Sequence, residues 1–207
     1  MIHQLQHPLV KDLVNRLRSN TTDAVAFQSL IAELSRLLAY DALYELPTTS
    51  KTIDTWRGEA SYHFIEQDKL VLIPILRAGL PMLTGLTTLF SQSPNGFLAM
   101  RRDEITHQAK TYYDRIPDCV DKTVVILDPM VATGGSLNDA ITLIKHKQPK
   151  NIISLNIIGS IKGLKTIEAQ HPDVEIYIAQ IDEELDGNMF IQPGLGDAGD
   201  RAFNTSE

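Results

Sequence analysis

The segment VVILDPMVATGGS, residues 124–136, combines a run of β-branched and aliphatic residues with a glycine-rich turn. The run predicts a buried strand that ends at Asp128, and the apolar residues after the turn recur at helical spacing. Four other stretches have strand character and are mostly separated by single helical segments: KLVLIPIL (69–76), GFLAM (96–100), NIISLNIIGS (151–160) and VEIYIAQI (174–181). The sequence therefore predicts an α/β, doubly wound fold with a mainly parallel sheet and helices on both faces.

The length of 207 residues suits a single domain spanning 1–207, with peripheral segments around the sheet. Two amphipathic helices are predicted at about 8–43, from apolar residues at helical spacing. A threonine-rich and aromatic stretch, 46–65, is predicted to form an extended hood or hairpin in which Trp56 is expected to pack. A polar, flexible arm is predicted at about 101–117.

The composition excludes several classes of protein. The chain is 43% hydrophobic and its apolar runs are too short to span a bilayer, so no membrane association is expected. A formal net charge of −7 argues against a nucleic-acid partner, because such proteins usually present a basic surface to phosphates. The N-terminus shows no secretory signal pattern and Cys119 is the single cysteine, so a cytoplasmic location is expected.

Ligands bind at the carboxyl ends of parallel strands, so chemistry is expected in the loops after Leu76, Leu127 and Ile181. After Leu127, the residues ATGGS (132–136) open a helix whose unpaired amide groups favour an anion. The glycines let the backbone approach a ligand, and the two hydroxyl groups can donate to phosphate oxygens. No lysine follows the glycines, so this is not a nucleoside triphosphate P-loop. We predict a phosphate-binding loop; a tight helix entry without a ligand is the alternative.

The C-terminal segment PGLGDAGD, residues 193–200, contains the G-x-G-x-x-G spacing of dinucleotide-binding proteins. In those proteins a strand precedes the glycines, a helix follows, and an acidic residue about 20 positions further on binds the ribose. Eight residues follow Gly199, which leaves no room for such a unit. The glycine-rich region at about 188–203 is therefore predicted to bind a different ligand; a loop without a ligand is the alternative.

Four motifs, in the same order along the chain, resemble those of the type I phosphoribosyltransferases in the form found in the uracil phosphoribosyltransferase family. ILDPMVATGGS (126–136) resembles the signature for 5-phosphoribosyl 1-pyrophosphate (PRPP), and PILRAGL (74–80) resembles the pyrophosphate loop. MRRDEIT (100–106) with YYDRIP (112–117) resembles the flexible arm, and FIQPGLGDAGD (190–200) resembles the uracil loop. The similarity extends from about His7 to Phe203, nearly the whole chain.

The resemblance implies a role for each matching residue. The implied PRPP-binding residues are Arg77, Arg102, Asp128, Pro129, Met130, Val131, Ala132, Thr133, Gly134, Gly135, Ser136 and Asp197. The implied uracil-binding residues, which would act largely through main-chain groups, are Phe190, Ile191, Gly196, Asp197 and Ala198. The implied catalytic residues are Arg77 and Arg102 at the diphosphate, and Asp128 and Asp197 at the ribose. A turn-capping role for Asp128, and Arg101 in place of Arg102, remain alternatives. A non-proline cis peptide near Arg77 is also implied.

The reaction implied by the resemblance is pyrimidine salvage, in which uracil and PRPP give UMP and pyrophosphate. Mg²⁺ would accompany PRPP and be bound mainly through it, with no direct metal site on the protein. GTP activates parts of the family and is a candidate activator here, and a homo-oligomer, a dimer or higher, is expected. A phosphoribosyltransferase for another base and a non-catalytic sensor of PRPP or nucleotide remain alternatives. Phe190 stands where the family commonly has tyrosine, which keeps an aromatic wall without its hydroxyl.

Overall fold

The computed structural model describes residues 1–102 and 109–205, with the backbone alone at positions 101–102 and 109–111. The helices are α1 (Pro8–Arg18), α2 (Ala24–Ala42), α3 (Leu80–Thr87), α4 (Gly135–Lys145), α5 (Ile161–Gln170) and α6 (Ala198–Phe203). The strands are β1 (Ile2–Gln4), β2 (Thr48–Thr55), β3 (Gly58–Ile65), β4 (Leu70–Leu76), β5 (Phe97–Arg102), β6 (Ala109–Arg115), β7 (Thr123–Leu127), β8 (Met130–Val131), β9 (Asn151–Ser160), β10 (Glu175–Asp182), β11 (Glu184–Leu185) and β12 (Ile191–Gln192). No helix within the two described ranges is long and apolar enough to cross a membrane.

The central sheet has eight strands in the order β1-β10-β9-β7-β4-β5-β6, and the short β8 adds to the pairing of β9. The strands from β1 to β5 in this order pair in parallel, and β6 runs antiparallel to β5. In chain order, β4 is followed by β5 on one side of it, whereas β7 lies on its other side. The sheet therefore reverses its winding direction between β4 and β7.

Both faces of the sheet are covered, because the strand side chains are apolar on both sides. Leu70 and Leu72 of β4 belong to a core formed with α1, α2, α3 and α6. Val71 and Ile73, which point to the opposite face, belong to a second core formed with α4 and α5. This arrangement confirms the prediction of a doubly wound α/β fold with a mainly parallel sheet.

The N-terminal half follows the sequence prediction closely. The two helices predicted at about 8–43 are α1 and α2, and Asp23 caps α2 by accepting the Ala26 N–H at 2.8 Å. The stretch 46–65 forms the β2–β3 hairpin, which is a separate two-stranded sheet. The prediction that Trp56 packs is wrong, because the hairpin tip lies apart from both cores and Trp56 is 87% exposed. Its ring contacts the guanidinium of Arg57 at 4.4 Å.

Part of the predicted arm at 101–117 is a regular strand that the sequence pattern did not indicate. β6 pairs with β5 from Phe97↔Arg115 to Arg102↔Ala109, with a register shift at Ala99/Met100. Positions 103–108 of the arm lie outside the described residues. The arm is thus an antiparallel extension at the edge of the sheet, in the part that the structure describes. The short strands β1 and β8 were also not predicted, because three- and two-residue strands carry too little pattern.

Candidate active site

Two loops meet where the sheet reverses direction, which is the place where doubly wound sheets bind ligands. β4 ends at Leu76 and β7 ends at Leu127, and these neighbouring strands pair up to Pro74↔Leu127. The loop after β4 passes close to the end of β7, because a Cβ at Gly79 would lie 2.4 Å from the Leu127 carbonyl oxygen. The predicted pyrophosphate loop and the predicted phosphate loop are therefore adjacent at the carboxyl edge of the sheet.

The phosphate loop runs into α4, which begins at Gly135. Gly134 has φ 84°, and a Cβ there would lie 2.8 Å from the Gly163 carbonyl oxygen, so this position requires glycine. The loop is fixed from behind, because the Ser160 hydroxyl donates to the Ala132 carbonyl at 2.6 Å. Gly135 is exposed and Thr133 and Ser136 are half-buried. The structure thus brings the predicted hydroxyls and glycines together at the N-terminus of a helix, where an anion is favoured.

The part of this loop that precedes Ala132 is less available to a ligand. Met130 and Val131 form β8, which pairs with Ile158 and Gly159 of β9. Val131 is 1% exposed and its side chain belongs to the core, so this side chain does not face the carboxyl edge of the sheet, where a ligand would bind. The Pro129 carbonyl accepts the Ile157 and Ile158 N–H groups. These residues build the base of the loop.

Asp128 is buried at the end of β7 and is held by a polar network in the adjacent strand. Its carbonyl accepts the Asn156 side-chain amide at 2.6 Å, and Asn156 in turn accepts the Ser154 hydroxyl at 2.8 Å. Its carboxylate accepts the Met130 N–H at 3.4 Å, a local turn contact. Burial raises the pKa of Asp128 to about 7, and the Met130 hydrogen bond offsets only part of that rise. A ligand that donates hydrogen bonds or carries positive charge would favour the ionised form.

The predicted base-binding loop makes a tight turn before α6. Gly194 has φ 60°, and a Cβ there would lie 2.0 Å from the Ile191 carbonyl oxygen; the Gln192–Pro193 peptide is cis. Ile191 and Ala198 are each 3% exposed and their side chains belong to the core. The side chains of these two residues therefore pack in the core and are not directed at a ligand. In the same loop, Phe190 is 45% exposed and Gly196 and Asp197 are exposed.

Two arginines fix this loop to the N-terminal helices. Arg18, at the end of α1, forms two 2.8 Å hydrogen bonds with the carboxylate of Asp182, whose side chain is 4% exposed. Asp182 also accepts the Gly194 N–H at 3.0 Å. Arg201 donates to the carbonyls of Leu195 and Ser19, each at 2.7 Å. The glycine turn is thus held in one position by charged groups outside it.

Arg77 and Asp197 also lie at this edge of the sheet. The Leu76–Arg77 peptide is cis, as the family resemblance predicted. Arg77 donates to the Asp200 carboxylate at 3.0 Å, and the Asp197 carboxylate caps α6 by accepting the Asp200 N–H at 2.8 Å. The loop after β4 therefore contacts the helix that begins in the base-binding loop. Arg102 is at the end of β5, and its side chain lies outside the described atoms.

Several residues of this site escaped the sequence analysis, and their signals differ. Asn156 and Ser154 are fully buried polar residues within the otherwise apolar NIISLNIIGS run, which is a readable signal. Arg18, Asp182, Arg201 and Asp200 carry no local signal, because their partners are remote in sequence or are main-chain groups.

The side chains near the candidate site determine how the protein could bind a magnesium ion. Across residues 1–102 and 109–205, no group of three or more His, Cys, Asp or Glu side chains is gathered to bind a metal. Asp128 offers a buried carboxylate whose charge a cation would favour. The residues present therefore fit a Mg²⁺ that takes most of its oxygen ligands from a substrate.

Comparison with solved structures first shows to which class of protein the fold belongs. The hypoxanthine phosphoribosyltransferase from Trypanosoma cruzi in complex with IMP shares this fold at a TM-score of 0.50 and 15% identity, covering 85% of this chain and 79% of that chain. The fold is that of the type I phosphoribosyltransferases.

Closer relatives then define the family. A solved structure of a protein from Aquifex aeolicus superposes at a TM-score of 0.95 with 39% identity, covering 100% of this chain and 99% of that chain. Uracil phosphoribosyltransferase from Malacoplasma penetrans is 41% identical over 206 residues, covering 99% of this chain and 100% of the relative. The family model for uracil phosphoribosyltransferase matches residues 4–205. The chain belongs to the uracil phosphoribosyltransferase family, as its motifs indicated.

Proposed function

We propose that this protein transfers the phosphoribosyl group of PRPP to uracil, giving UMP and pyrophosphate in pyrimidine salvage. The observation that carries the proposal is the loop 191–198, in which the side chains of Ile191 and Ala198 pack in the core, so that recognition of a base by these residues would use their peptide groups. The helix α6, which begins at the end of this loop, lies beside Arg77 of the predicted pyrophosphate loop, since a Cβ at Gly199 would be 3.7 Å from the Arg77 Nη2. A base and a diphosphate would therefore occupy adjacent positions.

Main-chain groups suit the recognition of uracil. One edge of uracil presents a carbonyl, an N–H and a second carbonyl, which an amide, a carbonyl and a second amide can pair. Cytosine replaces one carbonyl with an amine, so a fixed backbone donor would face another donor. Leaving such groups unpaired costs about 1–3 kcal/mol each. The turn is held by Asp182 and Arg201, so it cannot easily adapt to the wrong base.

In the proposed mechanism the N1 atom of uracil forms a bond to the anomeric carbon of PRPP while the bond from that carbon to the pyrophosphate oxygen breaks, and the N1 proton is lost to the departing pyrophosphate or to solvent. Positive charge develops on the ribose and negative charge on the leaving group, as in glycoside cleavage. Arg77 and Arg102 would stabilise the diphosphate, and Asp128 and Asp197 would hold the ribose side. The amides and hydroxyls of residues 133–136 would anchor the 5′-phosphate. No covalent intermediate with the protein is required.

Two small ligands belong to the same proposal. Mg²⁺, bound mainly through PRPP, would neutralise charge on the diphosphate, and the carboxylates of Asp128 and Asp197 would favour a cation on the ribose side. GTP activation is carried over from the family resemblance alone and is a prediction that activity measurements with and without GTP would check.

We place the protein in the cytoplasm, a location with which the free, buried thiol of Cys119 agrees.

The proposed function is tested by incubating the protein with PRPP, MgCl₂ and a panel of bases. We expect UMP and pyrophosphate from uracil and at least 100-fold slower turnover of cytosine, because a hydrogen-bonding site rejects the wrong pattern strongly. Turnover of a purine or of another pyrimidine instead would identify a transferase for a different base. Binding of PRPP without turnover of any base would identify a sensor.

We further propose that the protein is a homo-oligomer built through the β2–β3 hairpin. Ile53, Tyr62 and Phe64 lie on one face of this hairpin and are 40%, 50% and 38% exposed. An isolated two-stranded hairpin is marginally stable in water, so a second copy that covers this face would stabilise it. Light scattering at micromolar concentration should give at least twice the 23.1 kDa chain mass, and Tyr62→Ser with Phe64→Ser should lower it. A monomeric wild-type protein would exclude this assembly.

A further inference from the structure

The guanidinium of Arg77 has two side-chain partners near the C-terminus. Its Nη2 donates to the Asp200 carboxylate at 3.0 Å, and its Nη1 donates to the Thr205 hydroxyl at 3.1 Å. The Thr205 hydroxyl in turn donates to the same Asp200 oxygen. The three side chains therefore form a closed set in which an acid and a hydroxyl hold the arginine.

This set occupies the guanidinium edge that an anionic ligand would use. Arginine binds diphosphates through paired N–H groups, the same geometry that it uses for carboxylates. The Arg77 side chain is 55% exposed and that of Asp200 is 25% exposed, so the pair is open to exchange with a ligand from solvent. Exposed ion pairs of this kind are weak, which allows a more highly charged group to replace the carboxylate.

We propose that Asp200 competes with the diphosphate of PRPP for Arg77, and that Thr205 supports Asp200 in this role. The inference rests on the proposed function, because it takes the diphosphate site to be at Arg77. Asp200 is then a positioning residue: it holds Arg77 before PRPP binds, releases it when PRPP binds, and pairs with it again as pyrophosphate leaves. The carboxylate lowers the affinity for both diphosphates and speeds the release of the product.

The test is a double-mutant cycle measured by calorimetric titration of the full-length protein with PRPP in MgCl₂. Asp200→Asn keeps the size of the side chain and removes its charge, and we expect it to bind PRPP about two- to fivefold more tightly than wild type. In an Arg77→Gln background, where the competition no longer exists, Asp200→Asn should change the affinity by less than about 1.5-fold. A purely structural role for Asp200 would weaken binding instead.

Three results would overturn the competition. The first is that Asp200→Asn binds PRPP no more tightly than wild type. The second is that Asp200→Asn tightens PRPP binding by the same factor in the Arg77→Gln background, which would show long-range charge repulsion alone. The third is that the wild-type protein does not bind PRPP. The third result would also contradict the proposed function, whereas the first two are compatible with it. Thr205→Val, which removes the hydroxyl between the two charges, should tighten PRPP binding in the same direction by a smaller factor. It decides the question if Asp200→Asn proves unstable in thermal melting.

Discussion

Replacing Asp128 with asparagine should slow UMP formation by about 10- to 100-fold, because a charged hydrogen bond to the ribose contributes about 1.5–3 kcal/mol. The same substitution should stabilise the ligand-free protein above pH 7. Asp128 is buried, and burial raises the pKa of this carboxyl from 3.8 to about 7. The charge of Asp128 therefore lowers the stability of the protein without ligand, a cost that is common for residues of a functional site.

The sign of the pH dependence follows from that pKa. Since the folded protein binds the Asp128 proton more tightly than the unfolded chain, its contribution to stability is fully present below pH 3.8. It is lost as the pH rises through about 7. Asp128→Asn removes this loss, so the variant should melt several degrees higher than wild type at pH 8 and show little difference at pH 4.

Calorimetric melting at the two pH values, with steady-state kinetics, measures both effects. Asp118→Asn is the matched control, because the Asp118 side chain is 73% exposed, and it should change neither quantity. A less stable Asp128→Asn protein at pH 8 would contradict the burial argument. Unchanged turnover would contradict the ribose assignment and favour the simple turn contact with the Met130 N–H.

Replacing Asp182 with alanine should lower the free energy of unfolding by about 3–5 kcal/mol, the cost of breaking one side of a buried ion pair. The Asp182 side chain is 4% exposed, and its removal leaves Arg18 without this carboxylate and the Gly194 N–H without its acceptor. Because this acid fixes the glycine turn, the KM for uracil should rise more than the KM for PRPP in protein that remains folded.

The chain offers a matched control for this substitution. Asp173 forms a 2.6 Å ion pair with Lys145, but its side chain is 65% exposed, so Asp173→Ala should cost less than about 1 kcal/mol. Asp182→Asn should recover part of the loss, since an amide oxygen can still accept the Gly194 N–H. Urea denaturation measures all three variants. Equal losses in the free energy of unfolding for Asp182→Ala and Asp173→Ala would contradict the role of Asp182 in holding the glycine turn.

Most of the fold and the two glycine-rich loops could be predicted from the sequence because their signals are local. Strands such as Leu70–Leu76 are apolar on both faces, and the glycines at 134 and 194 stand where the chain needs positive φ. The family resemblance supplied the remaining residues of the candidate site, and their roles stay predictions. Trp56 was misjudged because an apolar side chain does not specify what covers it, and in this chain the hairpin tip stands apart from the cores.

The contacts that hold the site could not be predicted, because they join remote parts of the chain. Arg18 and Asp182 are 164 positions apart, and Arg77 and Asp200 are 123 positions apart. Charged residues are usually solvated at the surface, so nothing local marks these as paired. Their partners become clear only when the fold brings the ends of α1, β4 and β10 to the edge where α6 begins.

In the proposed function, peptide groups of the C-terminal loop bind a pyrimidine beside the diphosphate site. A crystal structure of the protein with UMP measures this directly. We predict the base within hydrogen-bond distance of main-chain atoms of Ile191, Gly196 and Ala198, and the 5′-phosphate on the amides of residues 133–136. UMP bound elsewhere, with this loop remote from its base, would contradict the account.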